Sequence, residues 1–155
     1  MLFLSVFAVA AMATQAVAAP SARDFSIAPV APGAWNYQAL PGASEARFVD
    51  SGGIARLVIR CTKATRQVSF SPTSSVAAAN IFVWTSSASR IVAVRFEANA
   101  MRVTADFSAF DPLLDAIAFS RGRVAVTMVG MGAGGSSLVV PAWPEPARTI
   151  EDCRI

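Results

Sequence analysis

The chain of 155 residues contains no histidine and only two cysteines. The absence of histidine excludes Ser-His-Asp and Cys-His catalysis, histidine-based zinc sites and the usual histidine pH switch. Lys63 is the only lysine, and no serine lies three residues before it, which argues against a Ser-Lys hydrolase. The sequence therefore predicts no catalytic residue of these classes and no metal site.

Charged residues are also scarce, at 15% of the chain, and the formal net charge is +3. The basic residues are nearly all arginines, and they are scattered along the sequence. A nucleic-acid-binding domain typically has clustered basic residues and a larger positive charge. We therefore expect no nucleic-acid partner.

An apolar segment at the start of the chain predicts export. Residues 2–12 are almost entirely apolar, a length typical of a signal-peptide core and shorter than the roughly 20 residues of a membrane span. Ala16 and Ala18 fit the small-x-small cleavage pattern, so residues 1–18 are predicted to be a signal peptide cut between Ala18 and Ala19. The alternative is an uncleaved N-terminal anchor. Cleavage predicts a periplasmic or secreted protein with no membrane span after processing.

Cys61 and Cys153 are the two cysteines, and in an oxidising compartment they allow a single disulfide. The alternative is two free thiols. The bridge would close a loop of about 90 residues, for which the chain-entropy model gives about 4–5 kcal/mol of stabilisation. With both thiols in the bridge, cysteine nucleophiles and cysteine-based zinc sites are excluded as well.

Short segments of alternating apolar and polar residues run through the mature chain and predict β-strands. The clearest of them are residues 54–61, 90–97, 101–107 and 123–129. Residues 51–53 are short enough to connect a hairpin. Residues 19–33, rich in Pro, Ala and Ser, are predicted to be an irregular lead-in to a single domain over residues 34–155.

Two short helices are predicted in the second half of the chain. Asp111 is suited to be an N-cap and Pro112 fits the first helical position, which predicts a helix near 111–120. A second helix is predicted near 143–154, because Trp143, Ala147, Ile150 and Cys153 fall roughly on one face of a helix. The prolines there fit only its first turn. The fold class is therefore mainly β: an antiparallel sandwich or barrel of about seven to nine short strands with two short helices.

Residues 130–135 formally match the dinucleotide-binding pattern G-x-G-x-x-G. The pattern binds a cofactor only where a helix follows, because the helix amides hold the pyrophosphate. Residues 136–141 are strand-like and end in a proline. The run is therefore predicted to be a hairpin loop, and no cofactor is expected.

Three carboxylates are the basis of an alternative interpretation, in which the protein is an enzyme. Asp111 and Asp115 lie four residues apart at the start of the first helix, and Glu145 lies in the first turn of the second. Paired carboxylates can catalyse glycoside hydrolysis. The interpretation that we adopt for the aspartates is a helix cap and a second carboxylate near the helix start, where negative charge is favoured.

Five side chains are the candidates for ligand binding: Arg121, Arg123, Trp143, Glu145 and Arg148. The first two arginines flank a glycine and could bind an anion. Alternatively, they could compensate the negative charges of Asp111, Asp115 and the helix C-terminus. Three further aromatic residues, Trp35, Tyr37 and Trp84, could line a groove with the candidate tryptophan, or they could belong to the core.

The second half of the chain resembles a group of small exported bacterial proteins of unknown function. The matching residues are DPLLDAIAFSRGRVAV at 111–126 and LVVPAWPEPARTIEDCR at 138–154, together with the strand at 57–61. The order of elements is also similar to that of the invasion-associated locus B family, which are small periplasmic β-sandwich proteins. The shared order is a strand with a cysteine, a helix, a strand pair and a C-terminal helix with the second cysteine. This chain lacks that family's additional cysteines, so the likeness implies a fold and no activity.

Export, a small β-rich domain and the missing catalytic groups together predict a non-enzymatic binding or interaction module. Its expected partner is an envelope protein or a small ligand. Small disulfide-tied β domains also suit rigid blocking loops, so the alternative is an inhibitor of a secreted hydrolase, with residues 130–137 as the protruding loop. A carboxylate-based hydrolase is the third, least favoured interpretation.

Overall fold

The computed structural model describes residues 24–130 and 137–155. Within them, ten strands and two α-helices confirm the mainly β, antiparallel sandwich. The strands are β1 (Gly33–Leu40), β2 (Ala43–Asp50), β3 (Ala55–Thr62), β4 (Gln67–Pro72), β5 (Asn80–Trp84), β6 (Ser89–Ala93), β7 (Arg95–Glu97), β8 (Arg102–Ser108), β9 (Arg123–Val129) and β10 (Ser137–Pro141). The helices are α1 (Pro112–Ala118) and α2 (Pro144–Glu151).

The strands form two antiparallel sheets. The large sheet has six strands in the order β1-β2-β3-β4-β8-β7, and the small sheet has four in the order β10-β9-β5-β6. Because successive side chains of a strand point to opposite faces, each sheet turns one apolar face inward. Phe48, Leu57 and Phe70 of the large sheet and Ile81 and Val83 of the small sheet are fully buried in the shared core. The apolar residues of the alternating segments therefore fill the space between the two sheets of a sandwich.

The predicted strand 90–97 divides into two strands that belong to different sheets. β6 ends at Ala93 in the small sheet, and β7 begins at Arg95 in the large sheet. Between them, the N–H of Val94 donates to the carbonyl of Ala79 at 3.0 Å. This passage from one sheet to the other explains why there are ten strands rather than seven to nine.

The N-terminus of α1 forms as predicted. The Asp111 side chain accepts a hydrogen bond from the N–H of Leu113 at 2.8 Å, and Pro112 is the first helical residue. Both helices are shorter than predicted, because α1 ends at Ala118 and α2 at Glu151. No helix in the described part of the chain is long and apolar enough to cross a membrane.

The predicted disulfide between Cys61 and Cys153 is present, with the two Cα atoms 5.5 Å apart. Cys61 lies in β3 on the core face of the large sheet, and Cys153 follows α2. The bridge therefore holds the C-terminal helix against β1, β2 and β3.

The described part of the lead-in, residues 24–32, lies on the outer face of the small sheet. Phe25 is buried there beside Trp84, with the two rings edge to face and their centroids 5.9 Å apart. The N–H of Ala31 donates to the carbonyl of Val139 in β10 at 2.8 Å. The lead-in thus covers the free side of β10 before the chain enters β1.

Candidate functional site

In the part of the chain that the structure describes, each sheet has two edge strands, and three of the four are short, charged or covered. β7 has three residues, two of them charged, and β6 has five residues and carries Arg90. β10 ends in Pro141, and the carbonyl of its Val139 accepts the bond from Ala31. Proteins protect sheet edges in these ways because unpaired backbone groups attract further strands.

β1 is the exception, since it is eight residues long and its sequence GAWNYQAL has neither charge nor proline. Within the described residues, β2 is the only strand that pairs with it. Asn36, Gln38 and Ala39 are exposed, and Tyr37 is half-buried. We call residues 36–40 the open edge.

The register of the β1–β2 hairpin decides which backbone groups of β1 are free. Leu40 and Ala43 face each other across a two-residue loop, in which Gly42 has φ 67°. The residues that close such a loop are hydrogen-bonded to each other, and the pattern then alternates along the strands. Gln38 and Leu40 therefore bond to β2, whereas the N–H and carbonyl groups of Tyr37 and Ala39 point away. Among the described residues, these four outward groups have no backbone partner.

α2 lies beside the open edge on the core side of β1. The Tyr37 hydroxyl donates to Oδ2 of Asp152 at 2.6 Å. The guanidinium carbon of Arg148 lies 3.9 Å from the centre of the Tyr37 ring. The three side chains meet because the bridge at Cys153 fixes the end of α2 over β1.

The surroundings of this cluster shift the pKa values of Tyr37 and Asp152 in opposite directions. The hydrogen bond to Asp152 raises the pKa of Tyr37, because it stabilises the protonated phenol. Partial burial acts to raise the pKa of Asp152, but the bond from Tyr37, the nearby Ser44 hydroxyl and the charges of Lys63 and Arg148 outweigh it, so that pKa is lowered. The phenol remains protonated beside an ionised carboxylate at neutral pH.

Of the five candidate ligand-binding residues, only Arg148 lies in this cluster. Trp143 directly precedes α2 and is 44% exposed. Glu145 is in the first turn of α2, and its Oε2 is buried with no hydrogen-bond partner among the described residues. Both residues are therefore at the start of the helix that carries Arg148.

The other two candidates lie on the side of the small sheet. A guanidinium nitrogen of Arg123 donates to the carbonyl of Ala28 and so holds the lead-in. The N–H of Arg121 donates to Oγ of Ser86 at 2.7 Å. Neither of these contacts forms a binding site for an anion.

Among the described residues, these two arginines form no ion pair with the two aspartates of α1. Asp111 is paired with Arg90 at 2.9 Å and Asp115 with Arg154 at 2.7 Å. Neither partner could be predicted from residue spacing, because Arg90 and Arg154 are both far from the two aspartates in sequence. Each aspartate thus has a structural partner, and no group of three or more metal-ligating side chains occurs in the described residues.

Of the two alternatives for the aromatic residues, the structure favours the core, because they do not line a common groove. Trp35 is a core residue whose ring meets Phe48 edge to face, while Trp84 lies under the lead-in. Trp35 also lines a small apolar cavity, which has room for about one water molecule and offers no polar partners. A small-molecule ligand needs far more space than this cavity provides.

A second charged cluster lies on the outer face of the large sheet, and the sequence patterns did not single it out. Glu45 of β2 is 4% exposed, and its carboxylate is held by Arg47 at 2.6 Å and by Arg60. Burial acts to raise the pKa of Glu45, but the hydrogen bonds and charges of the two arginines outweigh it and lower the pKa. All three residues are in neighbouring strands, so we assign the cluster a structural role.

Tyr37 was considered only as one aromatic residue of a possible groove, whereas Asp152 and the open edge were not predicted. One signal was present in the sequence, namely the lack of any charge in residues 33–40. The predicted signal peptide 1–18 with its cut between Ala18 and Ala19 lies outside the described residues, as does most of the predicted hairpin loop, residues 131–136.

Comparison of the chain with protein-family models, with curated proteins and with solved structures gives no match. The resemblances to small exported bacterial proteins and to the invasion-associated locus B family therefore stay predictions.

Proposed function

We propose that this protein is an exported binding module that accepts an extended segment of another protein as an additional strand along the open edge. The observation that carries the proposal is the outward direction of the N–H and carbonyl groups of Tyr37 and Ala39. An added strand satisfies such groups, and its main-chain hydrogen bonds provide affinity.

The alternative occupant of the open edge is a second copy of this chain. If two copies joined edge to edge about a two-fold axis, both α2 helices would lie on the same side of the joined sheet. The two Arg148 guanidinium groups would then approach each other, and each chain already has a formal net charge of +3. Repulsion between like charges disfavours this dimer, whereas a segment of different sequence avoids it.

The proposed compartment rests on two features of the chain. The first is the disulfide between Cys61 and Cys153, because such bridges form and persist in oxidising compartments. The second is the signal-peptide pattern of residues 1–18. A periplasmic or secreted module has access to envelope proteins, whose extended segments are the proposed partners.

The test is a selection of binders from a displayed library of random nine-residue segments. Ala39→Pro removes one outward N–H and places the proline ring where the added strand must lie, while Gln38 and Leu40 keep the bonds to β2. Ala39→Thr is the matched variant that keeps the N–H. We expect segments selected on the wild type to bind Ala39→Thr equally and Ala39→Pro at least about tenfold more weakly.

A second control addresses the other exposed edge. Ile91 of β6 also has outward backbone groups, because Thr85 and Ala88 form the hydrogen-bonded pair that closes the β5–β6 hairpin. Ile91→Pro should leave binding unchanged. The proposal is overturned if no segment is enriched, if Ala39→Pro binds as tightly as the wild type, or if only Ile91→Pro loses binding. A wild-type dimer that Ala39→Pro converts to a monomer would assign the edge to a second copy instead.

A further inference from the structure

We infer that Arg148 is the specificity-determining residue of the open edge and that it binds a carboxylate of the incoming segment. The inference rests on the proposed function, since it names the chemistry that the added strand must carry. Its basis is the position of one guanidinium relative to Tyr37 and to the free backbone groups of β1.

The guanidinium of Arg148 is stacked and yet free to donate. Its central carbon lies 3.9 Å from the centre of the Tyr37 ring, so one face of the group is covered. Stacking leaves the N–H groups in the plane of the guanidinium available for hydrogen bonds, and it reduces the entropy lost when they bind. The ion pairs of the described residues do not include Arg148, although the side chain is exposed.

The added strand would bring one of its side chains next to this guanidinium. Directly opposed residues of neighbouring strands have side chains on the same face, with Cβ atoms about 4.5–5.5 Å apart. The residue opposite Tyr37 would therefore place its side chain on the core side of the sheet, where Arg148 covers the tyrosine ring.

The charged groups around Tyr37 leave Arg148 as the donor for this side chain. The Tyr37 hydroxyl already donates to Asp152, and the charges of Lys63 and Arg148 both stabilise the Asp152 carboxylate, although no ion pair joins Arg148 to it. Glu145 is one turn before Arg148 on α2 and forms no ion pair with it. A carboxylate fits the remaining donors, because two parallel N–H bonds of a guanidinium match its two oxygens.

The carboxylate can come from two sources, an Asp or Glu side chain or the C-terminal group of the segment. Two displayed libraries of random nine-residue segments distinguish them: one ends in a free carboxylate, and the other is flanked by chain on both sides. Each is selected on the wild type, Arg148→Gln, Arg148→Lys and Arg121→Gln. Arg121 is an exposed arginine outside the cluster and serves as the matched control.

We expect wild type and Arg121→Gln to enrich carboxylates at one position, and individual acidic segments to lose about tenfold in affinity on Arg148→Gln. Arg148→Lys should recover only part of the loss, since an ammonium cannot bind both oxygens in parallel. If Arg148→Gln selects the same acidic segments, or if replacing the carboxylate by an amide leaves binding to the wild type unchanged, the inference is wrong while strand addition stands. If Ala39→Pro has no effect on these segments, strand addition itself is wrong.

Discussion

The indole Nε1 of Trp35 donates a hydrogen bond to the carbonyl oxygen of Pro141 at 2.8 Å. Trp35 belongs to β1 and Pro141 to β10, so the bond joins an edge of the large sheet to an edge of the small sheet. It closes the sandwich at the start of β1. The open edge, residues 36–40, follows directly after this contact in β1.

Replacing Trp35 tests this closure. Trp35→Phe leaves the Pro141 carbonyl without its donor and a cavity beside Phe48, so we expect a loss of about 2 kcal/mol in the free energy of unfolding. Trp143→Phe is the control, because that side chain is 44% exposed and should change stability by less than about 0.5 kcal/mol. Urea denaturation followed by circular dichroism measures both. Equal effects of the two variants would contradict the assigned role.

Removing the disulfide should destabilise the whole domain. The residues Cys61 and Cys153 are separated by 92 positions, and a loop of this length corresponds to about 4 kcal/mol in the chain-entropy model. The double variant Cys61→Ala/Cys153→Ala should therefore unfold at a much lower urea concentration than the oxidised wild type. Reduced wild type is the matched control and should resemble the variant. Unfolding midpoints that do not change on reduction would show that the bridge contributes little.

The buried carboxylate of Glu45 predicts a pH-dependent contribution to stability. Because its pKa in the folded state is lowered, the ionised group stabilises the fold above its unfolded-state pKa, and this contribution is lost as the pH falls through the folded-state value. We expect Glu45→Gln to cost about 1–2 kcal/mol at pH 7 and progressively less as the pH falls below about 4. Denaturation at a series of pH values measures this.

Glu97→Gln is the control for Glu45, since Glu97 pairs with Arg95 on the surface and should contribute less than about 0.5 kcal/mol. A penalty for Glu45→Gln that stays constant from neutral to acid pH would assign its effect to shape and packing instead of charge.

The cap of α1 can be separated from its ion pair by two substitutions at one position. Asp111→Ala removes both the bond from the Leu113 N–H and the contact with Arg90, and we expect a loss of about 1–2 kcal/mol. Asp111→Asn keeps a capping oxygen and loses only the charge, so its cost should be below about 1 kcal/mol. Thermal unfolding compares them. A cost for the asparagine variant as large as that of alanine would make the ion pair the dominant interaction.

Local patterns predicted those parts of the fold that local physics determines. The alternation in residues 54–61 and 123–129 produced strands, and the Asp111-Pro112 start produced a capped helix. The division of 90–97 could not be predicted, because side chains alternate on both sides of Val94 and only the packing of two sheets separates β6 from β7. The expectation of export predicted a disulfide, and two cysteines allow only one pairing.

The candidate site was predictable only in part. Arg148 was singled out, but its partner Tyr37 lies more than a hundred residues away in sequence, and no periodicity relates the two. Asp152 and Arg148 lie four residues apart at the end of the chain, and both contact the same tyrosine. Whether a strand lies at an edge depends on the order of strands in the sheet, which a single sequence does not encode locally.

Amide hydrogen exchange of β1 tests the central claim most directly. In the free protein, the amides of Tyr37 and Ala39 should exchange rapidly, while those of Gln38 and Leu40 should be protected by β2. Adding a segment selected on the wild type should protect the amides of Tyr37 and Ala39 from exchange. The exchange rates of the other amides in the sheet should stay unchanged. Protection of Tyr37 and Ala39 in the free protein, or rapid exchange of both when a segment is bound, would contradict an edge that is open to an added strand.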